Sequence, residues 1–268
     1  MIAVPRPERS FRTPAIILKR RDFGEADRLL TVITPRHGKI DVIARGARKL
    51  NSQKTGHVEL YTRTEMLINT GRELGQAVQS EMVAAYLPLR EDLTRGAYAA
   101  YAAELLDRFT SRDELSSEGA TADEEDSARL FALLDDTLDR LSTEEDPRLA
   151  VRYFEMRLLD LVGFRPELTD CIIEREPIQP VDQFFSHEDG GVVCPLHAVR
   201  CGSVIPVPMV TLKLMRHLQR SPYSHVRSLN VPLALHDDVE RVMVSYLTFL
   251  LERRLQSVEF LRRLRFAR

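Results

Sequence analysis

The segment Ile40–Glu59, IDVIARGARKLNSQKTGHVE, joins a short apolar strand to a loop rich in positive charge. The strand spans Ile40–Ala44, and Gly46 and Gly56 supply hinges in the segment that follows. No acidic residue lies between positions 41 and 59. The loop carries four cations, Arg45, Arg48, Lys49 and Lys54. A cationic loop held by strands is typical of a surface that receives phosphate groups rather than one that performs chemistry.

Residues 11–85 around this loop alternate between apolar and polar side chains, which is the pattern of β-strands. Turn-forming residues separate five such segments. The predicted strands are Thr13–Lys19, Ala26–Thr34, Gly38–Ala44, His57–Asn69 and Leu74–Val83. Five short strands in so short a region predict a small barrel. The first candidate is an OB-fold, a five-stranded barrel that commonly binds single strands or oligosaccharides.

The charge of the chain is divided unevenly. Residues 1–85 hold 15 Lys and Arg against 9 Asp and Glu, a net charge of +6, although the whole chain has a net charge of −2. The remaining residues hold 23 against 31, a net charge of −8. This split predicts a basic binding face on the first domain. The alternative is a solvated β surface with a modest excess of cations.

From Pro88 onward the apolar residues recur at the spacing of α-helices. The predicted helices are Leu93–Phe109, Ala128–Leu141, Arg148–Val162, Met209–Gln219 and Asp237–Arg263. The polar, acidic segment 111–127 is predicted to be a solvated loop. The sequence thus predicts an α+β protein. Its parts are a basic barrel at 1–85, a helical domain at 86–165, a cysteine-bearing insertion at 166–208, and the rest of the helical domain at 209–268.

The insertion contains a cluster of residues able to bind a metal, Cys171, Cys194, His197 and Cys201. Two residues separate Cys194 from His197, a spacing that lets both reach one tetrahedral ion from a tight turn. Glu174 stands where a zinc ribbon has its second cysteine. Three thiolates and one imidazole would form a closed structural site that contributes folding free energy. The alternative is three idle thiols and a surface histidine.

Several functional classes lack their sequence signals. No apolar run approaches the roughly 18 residues that a membrane span needs, and the N-terminal residues lack the apolar region of a secretion signal. Three cysteines fit a reducing cytosol. The motifs of phosphate-binding loops, nucleophile elbows, zinc peptidases and dinucleotide-binding folds are missing. We therefore expect a cytoplasmic protein that is not an enzyme and that uses no nucleotide cofactor.

Specific strings in this order resemble a known family. They are AIILK at 15–19, FGEADRLLTVI at 23–33, HGKI at 37–40, ARGARK at 44–49, YFEMRLLDLVGFRP at 153–166 and GGVVC at 190–194. In combination they resemble the RecO family of bacterial DNA repair and recombination mediators. The resemblance covers nearly the whole chain and is weakest near residues 111–127.

The resemblance implies an N-terminal OB-fold, a helical domain and a zinc-ribbon-like insertion. It implies binding of single- and double-stranded DNA, annealing of complementary strands, and help in loading the RecA recombinase. The implied partners are RecR and the acidic tail of the single-stranded-DNA-binding protein, at a location on the nucleoid. The family's zinc module commonly has two CxxC pairs, and here the matching positions are Cys171 with Glu174 and Cys194 with His197.

The candidate phosphate contacts are cations on predicted strand ends and loops, namely Arg20, Arg21, Arg36, Lys39, Arg45, Arg48, Lys49 and Lys54. The candidate aromatic platforms for bases are few: Phe23, His37 and Tyr61. The basic end of the chain, Arg253–Arg268, could extend the DNA path or receive an acidic peptide. Two other functions remain open. One is a protein-interaction adaptor with incidental DNA binding, and the other is a metal-dependent nuclease that uses the cysteine cluster.

Overall fold

The computed structural model describes residues 10–49, 55–71, 74–111 and 123–266. The predicted phosphate contact Lys54 lies outside these residues. The protein is a mixed α+β structure with an N-terminal five-stranded sheet and a helical C-terminal part, which confirms the predicted class. Contacts group the chain into a barrel unit, Met1–Leu87 with Ala103–Leu138, and a helical unit, Pro88–Ala102 with Asp139–Arg268.

The barrel unit is built on five strands that close on themselves. They are β1 (Ser10–Phe23), β2 (Asp27–Thr34), β3 (Gly38–Ala44), β4 (Arg63–Asn69) and β5 (Gly75–Ala84). The order around the closed barrel is β1-β2-β3-β5-β4, and β4 returns to pair with β1. The β3–β5 pairing is parallel and short, and the other pairings are antiparallel. Closure pairs strand edges that would otherwise be open to aggregation.

The barrel interior is filled by small and branched apolar side chains from alternate strand positions. The fully or nearly fully buried set includes Ala15, Ile17, Leu30, Val32, Ile40, Val42, Met66 and Ile68. Side chains alternate between the two faces of a strand, so this spacing places one face of every strand inside. Burial of each of the larger side chains in this set stabilises the fold by roughly 1.5–3 kcal/mol, before conformational entropy is counted.

Two parts of the predicted strand pattern are wrong in extent. Strand β1 runs from Ser10 to Phe23 and is twice as long as the predicted segment. The fourth strand begins at Arg63 rather than at His57, because the chain first makes a 3-10 turn at Thr55–His57. Tyr61 has a left-handed backbone with φ of 60°, which interrupts an extended chain at that point. Apolar alternation alone did not reveal this interruption.

Eight helices are described. They are α1 (Pro88–Glu91), α2 (Leu93–Phe109), α3 (Asp123–Thr143), α4 (Pro147–Leu161), α5 (Met209–Arg220), α6 (Tyr223–Val226), α7 (Leu233–Leu251) and α8 (Gln256–Phe266). Asp146 caps α4 by accepting a hydrogen bond from the backbone N–H of Arg148, and Pro147 occupies its first turn. Within the described residues, no helix is both long and apolar enough to cross a membrane.

Two predicted helical boundaries are corrected. Helix α3 begins at Asp123, inside the segment 111–127 that was predicted to be a loop, and residues 112–122 of that segment lie outside the described residues. Acidic residues in a first helical turn are favoured by the positive end of the helix dipole. The predicted helix Asp237–Arg263 is two helices, since Glu252 adopts a left-handed φ of 50° and ends α7.

The segment 166–208 folds in the helical unit around a small sheet. Its strands are β6 (Gln183–Ser186), β7 (Gly191–Val193) and β8 (Val204–Val207), and β6 lies in the centre of the order β7-β6-β8. The prediction of a strand at Gln183–Ser186 is confirmed. Cys171, Val193 and Cys194 form a separate small core beside this sheet. A three-stranded sheet needs such an apolar face to be stable.

Candidate functional site

Two loops meet at one end of the barrel. The β1–β2 hairpin and the segment after β3 are adjacent, because Arg28 of β2 pairs with Asp22 on one side and with Ala44 on the other. The backbone N–H of Gly46 donates to Asp27 Oδ1 at 2.7 Å, and the N–H of Arg48 donates to the carbonyl of Ala26 at 2.9 Å. We call this region, residues 20–28 and 44–49, the basic end.

The basic end contains five of the eight predicted phosphate contacts, but these residues differ in what they touch. Arg21, Arg45 and Lys49 are exposed. Arg20 forms an ion pair with Glu59 at 2.5 Å. Arg48 forms an ion pair with Asp22 at 3.3 Å and also donates to the carbonyl of Gly24 at 3.2 Å. The positive charge presented to solvent therefore comes mainly from Arg21, Arg45 and Lys49.

The structure places Arg36 and Lys39 at the other end of the same strand pair. We call this region, residues 34–39, the turn end, where Thr34 pairs with Gly38. Strand geometry separates it from the basic end by roughly 20 Å along β2. Arg36 is exposed, whereas the side chain of Lys39 is only 5% exposed. One phosphate group cannot contact both ends.

Lys39 has a structural role. Its Nζ donates to the carbonyl oxygens of Thr110 at 2.5 Å and Asp107 at 2.6 Å, at the C-terminal end of α2. A cation at this position satisfies helix carbonyls and favours the negative end of the helix dipole. Burial alone would raise the pKa of Asp107, but the hydrogen bond from Lys19 and the charge of Lys39 outweigh it and lower this pKa. The prediction that Lys39 contacts phosphate is therefore corrected.

The three predicted aromatic platforms also differ. Phe23, at the end of β1, is 42% exposed. His37 packs against Phe11 with a ring-centroid distance of 4.0 Å. Tyr61 is half-buried, and its pKa is raised first by burial and then by the charge of Glu104. Of the three, Phe23 is the residue that lies on the basic end with an exposed ring.

A second group of interest lies in the helical unit, where four side chains form a compact cluster. The possible ligand atoms of Cys171, Glu174, Cys194 and His197 all lie within 4.8 Å of one another. His197 Nδ1 is 3.1 Å from Cys194 Sγ, 3.3 Å from Glu174 Oε2 and 4.0 Å from Cys171 Sγ. Cys194 Sγ is 3.5 Å from Glu174 Oε1. The cluster joins one loop after α4 to the turn that follows β7.

The cluster fits the geometry of a tetrahedral zinc site. Zinc bonds of about 2.0–2.3 Å at tetrahedral angles place neighbouring ligand atoms roughly 3.3–3.8 Å apart, close to the distances observed here. Burial would raise the pKa of Cys171, but the backbone N–H groups of Cys194, Glu174 and Ile173 outweigh burial and lower it. A lowered thiol pKa suits a cation ligand at Cys171, whereas burial raises the pKa of Cys194. The residues present could therefore hold a metal ion.

Three of the four predicted metal ligands, Cys171, Cys194 and His197, lie in this cluster, and the fourth does not. Cys201 is not part of the four-residue cluster, and its sulfur lies 3.9 Å from the carbonyl oxygen of His197. Glu174 takes the fourth place. The signal for Glu174 was its spacing, since Cys171-Ile-Ile-Glu174 parallels Cys194-Pro-Leu-His197. Cys201 was nevertheless the predicted fourth ligand, because cysteine binds structural zinc more often than glutamate does.

A cleft of about 1130 Å³ also lies within the helical unit. Apolar side chains from α7 and α8, including Leu233 and Leu261, line part of it. Arg95, Arg148 and Arg227 contribute positive charge, and Asp92, Glu144, Glu145, Asp146 and Asp237 contribute negative charge. In the described part of the basic C-terminal segment, Arg253, Arg254, Arg262 and Arg263 are exposed. The cleft could receive a short amphipathic peptide.

Comparisons with known proteins match both the N-terminal and the C-terminal part of the chain to the same family. The family described as "Recombination protein O N terminal" matches residues 9–86, and "Recombination protein O C terminal" matches residues 90–259. Similar proteins include "DNA repair protein RecO" of Roseiflexus sp. (strain RS-1), which is 37% identical over 254 residues, 95% of this chain and 86% of that protein.

Two further relatives carry the same printed name. The protein of Pelotomaculum thermopropionicum is 35% identical over 254 residues, which cover 94% of each chain. The protein of Dehalococcoides mccartyi (strain CBDB1) is 31% identical over 260 residues, which cover 96% of this chain and 97% of that protein. Identity at this level over nearly the full length of both proteins shows common family membership. The chain therefore belongs to the RecO family of DNA repair proteins.

Proposed function

We propose that this protein is a non-catalytic mediator of recombinational DNA repair that binds single- and double-stranded DNA at the basic end of an OB-fold. The strand order and closure of the barrel support the OB-fold assignment. The observation that carries the proposal is the joining of two loops by Asp27, Gly46 and Arg48, which brings the exposed residues Arg21, Arg45 and Lys49 to the same end of the barrel.

The geometry favours binding that does not depend on base sequence. Arginine and lysine side chains contact phosphates as positive charges and release counterions from the DNA. Three such contacts predict a slope of about −2 in the logarithm of affinity against the logarithm of salt concentration for a single strand. Two strands held by their phosphates keep their bases free to pair. Annealing of complementary strands follows from this arrangement.

The partners belong to the same proposal. Family membership supports help in RecA loading, with RecR and the acidic tail of the single-stranded-DNA-binding protein as direct partners. The proposed site for that tail is the basic C-terminal segment, in which Arg253, Arg254, Arg262 and Arg263 are exposed. The domain boundaries near 85, 165 and 208 and a nucleoid location in the cytoplasm are also proposed.

We further propose that the insertion binds Zn²⁺ through Cys171, Glu174, Cys194 and His197. Four protein ligands leave no open coordination position, so the ion would supply folding free energy rather than catalysis. The test is metal content after purification and dialysis, with Cys194→Ser and Cys201→Ser as a matched pair. We expect loss of zinc from Cys194→Ser alone. Equal loss from Cys201→Ser would contradict the assigned ligand set.

The main experiment titrates labelled single-stranded and duplex DNA with the purified protein across a salt series, with an annealing assay on the same sample. The proposal predicts steep salt dependence and faster annealing without strand cleavage. Weak, salt-insensitive binding without annealing would favour the adaptor function. Strand cleavage that requires divalent metal would favour the nuclease function.

Charge reversal locates the binding surface. We expect Arg45→Glu with Lys49→Glu to weaken binding of both DNA forms and to reduce the salt slope for a single strand by about 1.4, since each phosphate contact contributes about 0.7. The matched control is Arg12→Glu with Arg36→Glu, two exposed arginines remote from the basic end. Equal losses in both double variants would remove the basic end as the specific site.

A further inference from the structure

Phe23 occupies an unusual position for a large apolar side chain. It ends β1 at the tip of the β1–β2 hairpin, and the residue is 42% exposed. The turn continues through Gly24, whose φ of +58° is readily adopted by glycine. A single exposed phenylalanine is common on protein surfaces and indicates nothing by itself. A role for Phe23 therefore depends on the residues around it.

Arg48 holds the residues on both sides of Phe23. Its guanidinium donates to the carbonyl of Gly24 at 3.2 Å and forms an ion pair with Asp22 at 3.3 Å. Its backbone N–H also donates to Ala26 in the same turn. These contacts hold the backbone on both sides of Phe23, which reduces the backbone entropy lost when the tip binds a ligand. Arg48 is thus a positioning residue for Phe23.

The charges near the tip favour a base rather than a phosphate at Phe23. Arg21, Arg45 and Lys49 are exposed on the same end of the barrel. Glu25 is exposed in the hairpin turn and adds negative charge there, which opposes a phosphate at the tip. Exposed aromatic rings beside a cationic path are typical of single-strand binding, in which bases stack on the rings while cations follow the backbone.

We infer that Phe23 is a base-stacking residue that makes the basic end discriminate single-stranded DNA from duplex, and that Arg48 positions it. In a duplex the bases are stacked inside and their faces are inaccessible, whereas a single strand exposes them. The cations contact the phosphates of both single-stranded and duplex DNA, whereas Phe23 contacts the bases of the single strand alone. This inference rests on the proposed DNA-binding function of the same surface.

The chain offers a direct test because it contains no tryptophan. Phe23→Trp places the single indole of the protein at the hairpin tip, and stacking on a nucleobase quenches indole emission. We expect quenching by a saturating single strand and no quenching by a saturating duplex. The matched control is Phe164→Trp, at a phenylalanine of the helical unit that is 45% exposed. Unchanged emission from Phe23→Trp under a bound single strand would overturn the inference.

Affinity measurements separate stacking from charge. We expect Phe23→Ala to reduce single-strand affinity by roughly fivefold to a hundredfold, the range for loss of one base–aromatic contact. Its salt slope should stay that of the unmodified protein, because no phosphate contact is removed. Duplex affinity should not change. An equal loss for both ligands would contradict a stacking role.

The role of Arg48 has its own readout. We expect Arg48→Lys, which keeps the charge but loses the guanidinium fork, to lower the single-strand preference while leaving the salt slope unchanged. In Arg48→Gln, which removes the charge, a reduced slope without a change in preference would make Arg48 a phosphate contact instead. If the unmodified protein binds neither DNA form, the proposed function fails together with this inference. If it binds both forms and Phe23→Ala has no effect, the inference alone fails.

Discussion

The two ends of the barrel carry similar cations but use them differently. At the turn end, Lys39 is buried against the last turn of α2, where Asp107 forms ion pairs with both Lys39 and Lys19. At the basic end, Arg21, Arg45 and Lys49 remain exposed while Arg48 joins two loops. Cations of the same region of sequence are therefore used for packing at one end and remain exposed to solvent at the other. The deciding partner, Asp107, is distant in sequence.

Among variants that distinguish the two ends, Lys39→Ala is expected to lower the free energy of unfolding the most. Removal of this side chain leaves the carbonyls of Asp107 and Thr110 and the carboxylate of Asp107 with fewer donors in a partly buried site. We expect a loss of about 3 kcal/mol in the free energy of unfolding. Urea unfolding measures it, with the exposed neighbour Arg36→Ala as the control. A loss below that of the control would show that Lys39 is not a structural cap.

A smaller effect is expected from Asp107→Asn, about 1–2 kcal/mol at neutral pH, because the ion pairs with Lys19 and Lys39 are partly solvent-screened. The pKa of Asp107 is lowered in the folded protein, so its contribution is present above the pKa of the unfolded chain. The contribution is lost as pH falls through the lower, folded pKa. The difference in the free energy of unfolding between Asp107→Asn and the unmodified protein should therefore decrease as the pH is lowered. A difference independent of pH would contradict this origin.

Arg48→Ala is expected to have a modest effect on stability, about 0.5–1 kcal/mol, since its ion pair with Asp22 is exposed. The hairpin tip should become more mobile even though the barrel remains folded. Amide hydrogen exchange at residues 22–26 measures this change. Unchanged exchange at the tip would show that the backbone hydrogen bonds alone hold the two loops together.

The smallest stability effect is expected from Arg45→Ala with Lys49→Ala, within about 0.5 kcal/mol, because both side chains are exposed. DNA affinity should nevertheless fall in this variant. The combination of lost binding and retained stability is the opposite of that expected for Lys39→Ala. Thermal unfolding and DNA titration of the same samples test the contrast. A large loss of stability here would mean that the basic end, too, is used for packing.

The sequence was sufficient for the elements whose periodicity is strong. Strand Gly38–Ala44 and helix Leu93–Phe109 have the predicted bounds, because regular alternation and helical spacing reflect burial of one face. The sequence was insufficient where the backbone angle of one residue determines where a strand or helix ends. The left-handed residues Tyr61 and Glu252 interrupt a strand pattern and a helix pattern that remain apolar on either side. Side-chain periodicity contains no information on such local angles.

The sequence identified most residues of the candidate sites, but not which of them lie exposed or close together in the fold. The eight cations were recognised by charge, yet charge alone did not distinguish the buried Lys39 from the exposed Lys49. Cysteine spacing indicates the cluster of possible metal ligands, yet Glu174 rather than Cys201 is its fourth member. In both cases the outcome depends on contacts between residues far apart in the chain. These contacts follow from the folded topology.

The most direct test of the account is amide hydrogen exchange of the whole protein with and without a bound single strand. The account predicts added protection in residues 21–27 and 45–49, the two loops of the basic end. It predicts no added protection in residues 35–38 of the turn end. Protection of residues 35–38 with none in the basic end would contradict the division of roles between the two ends of the barrel.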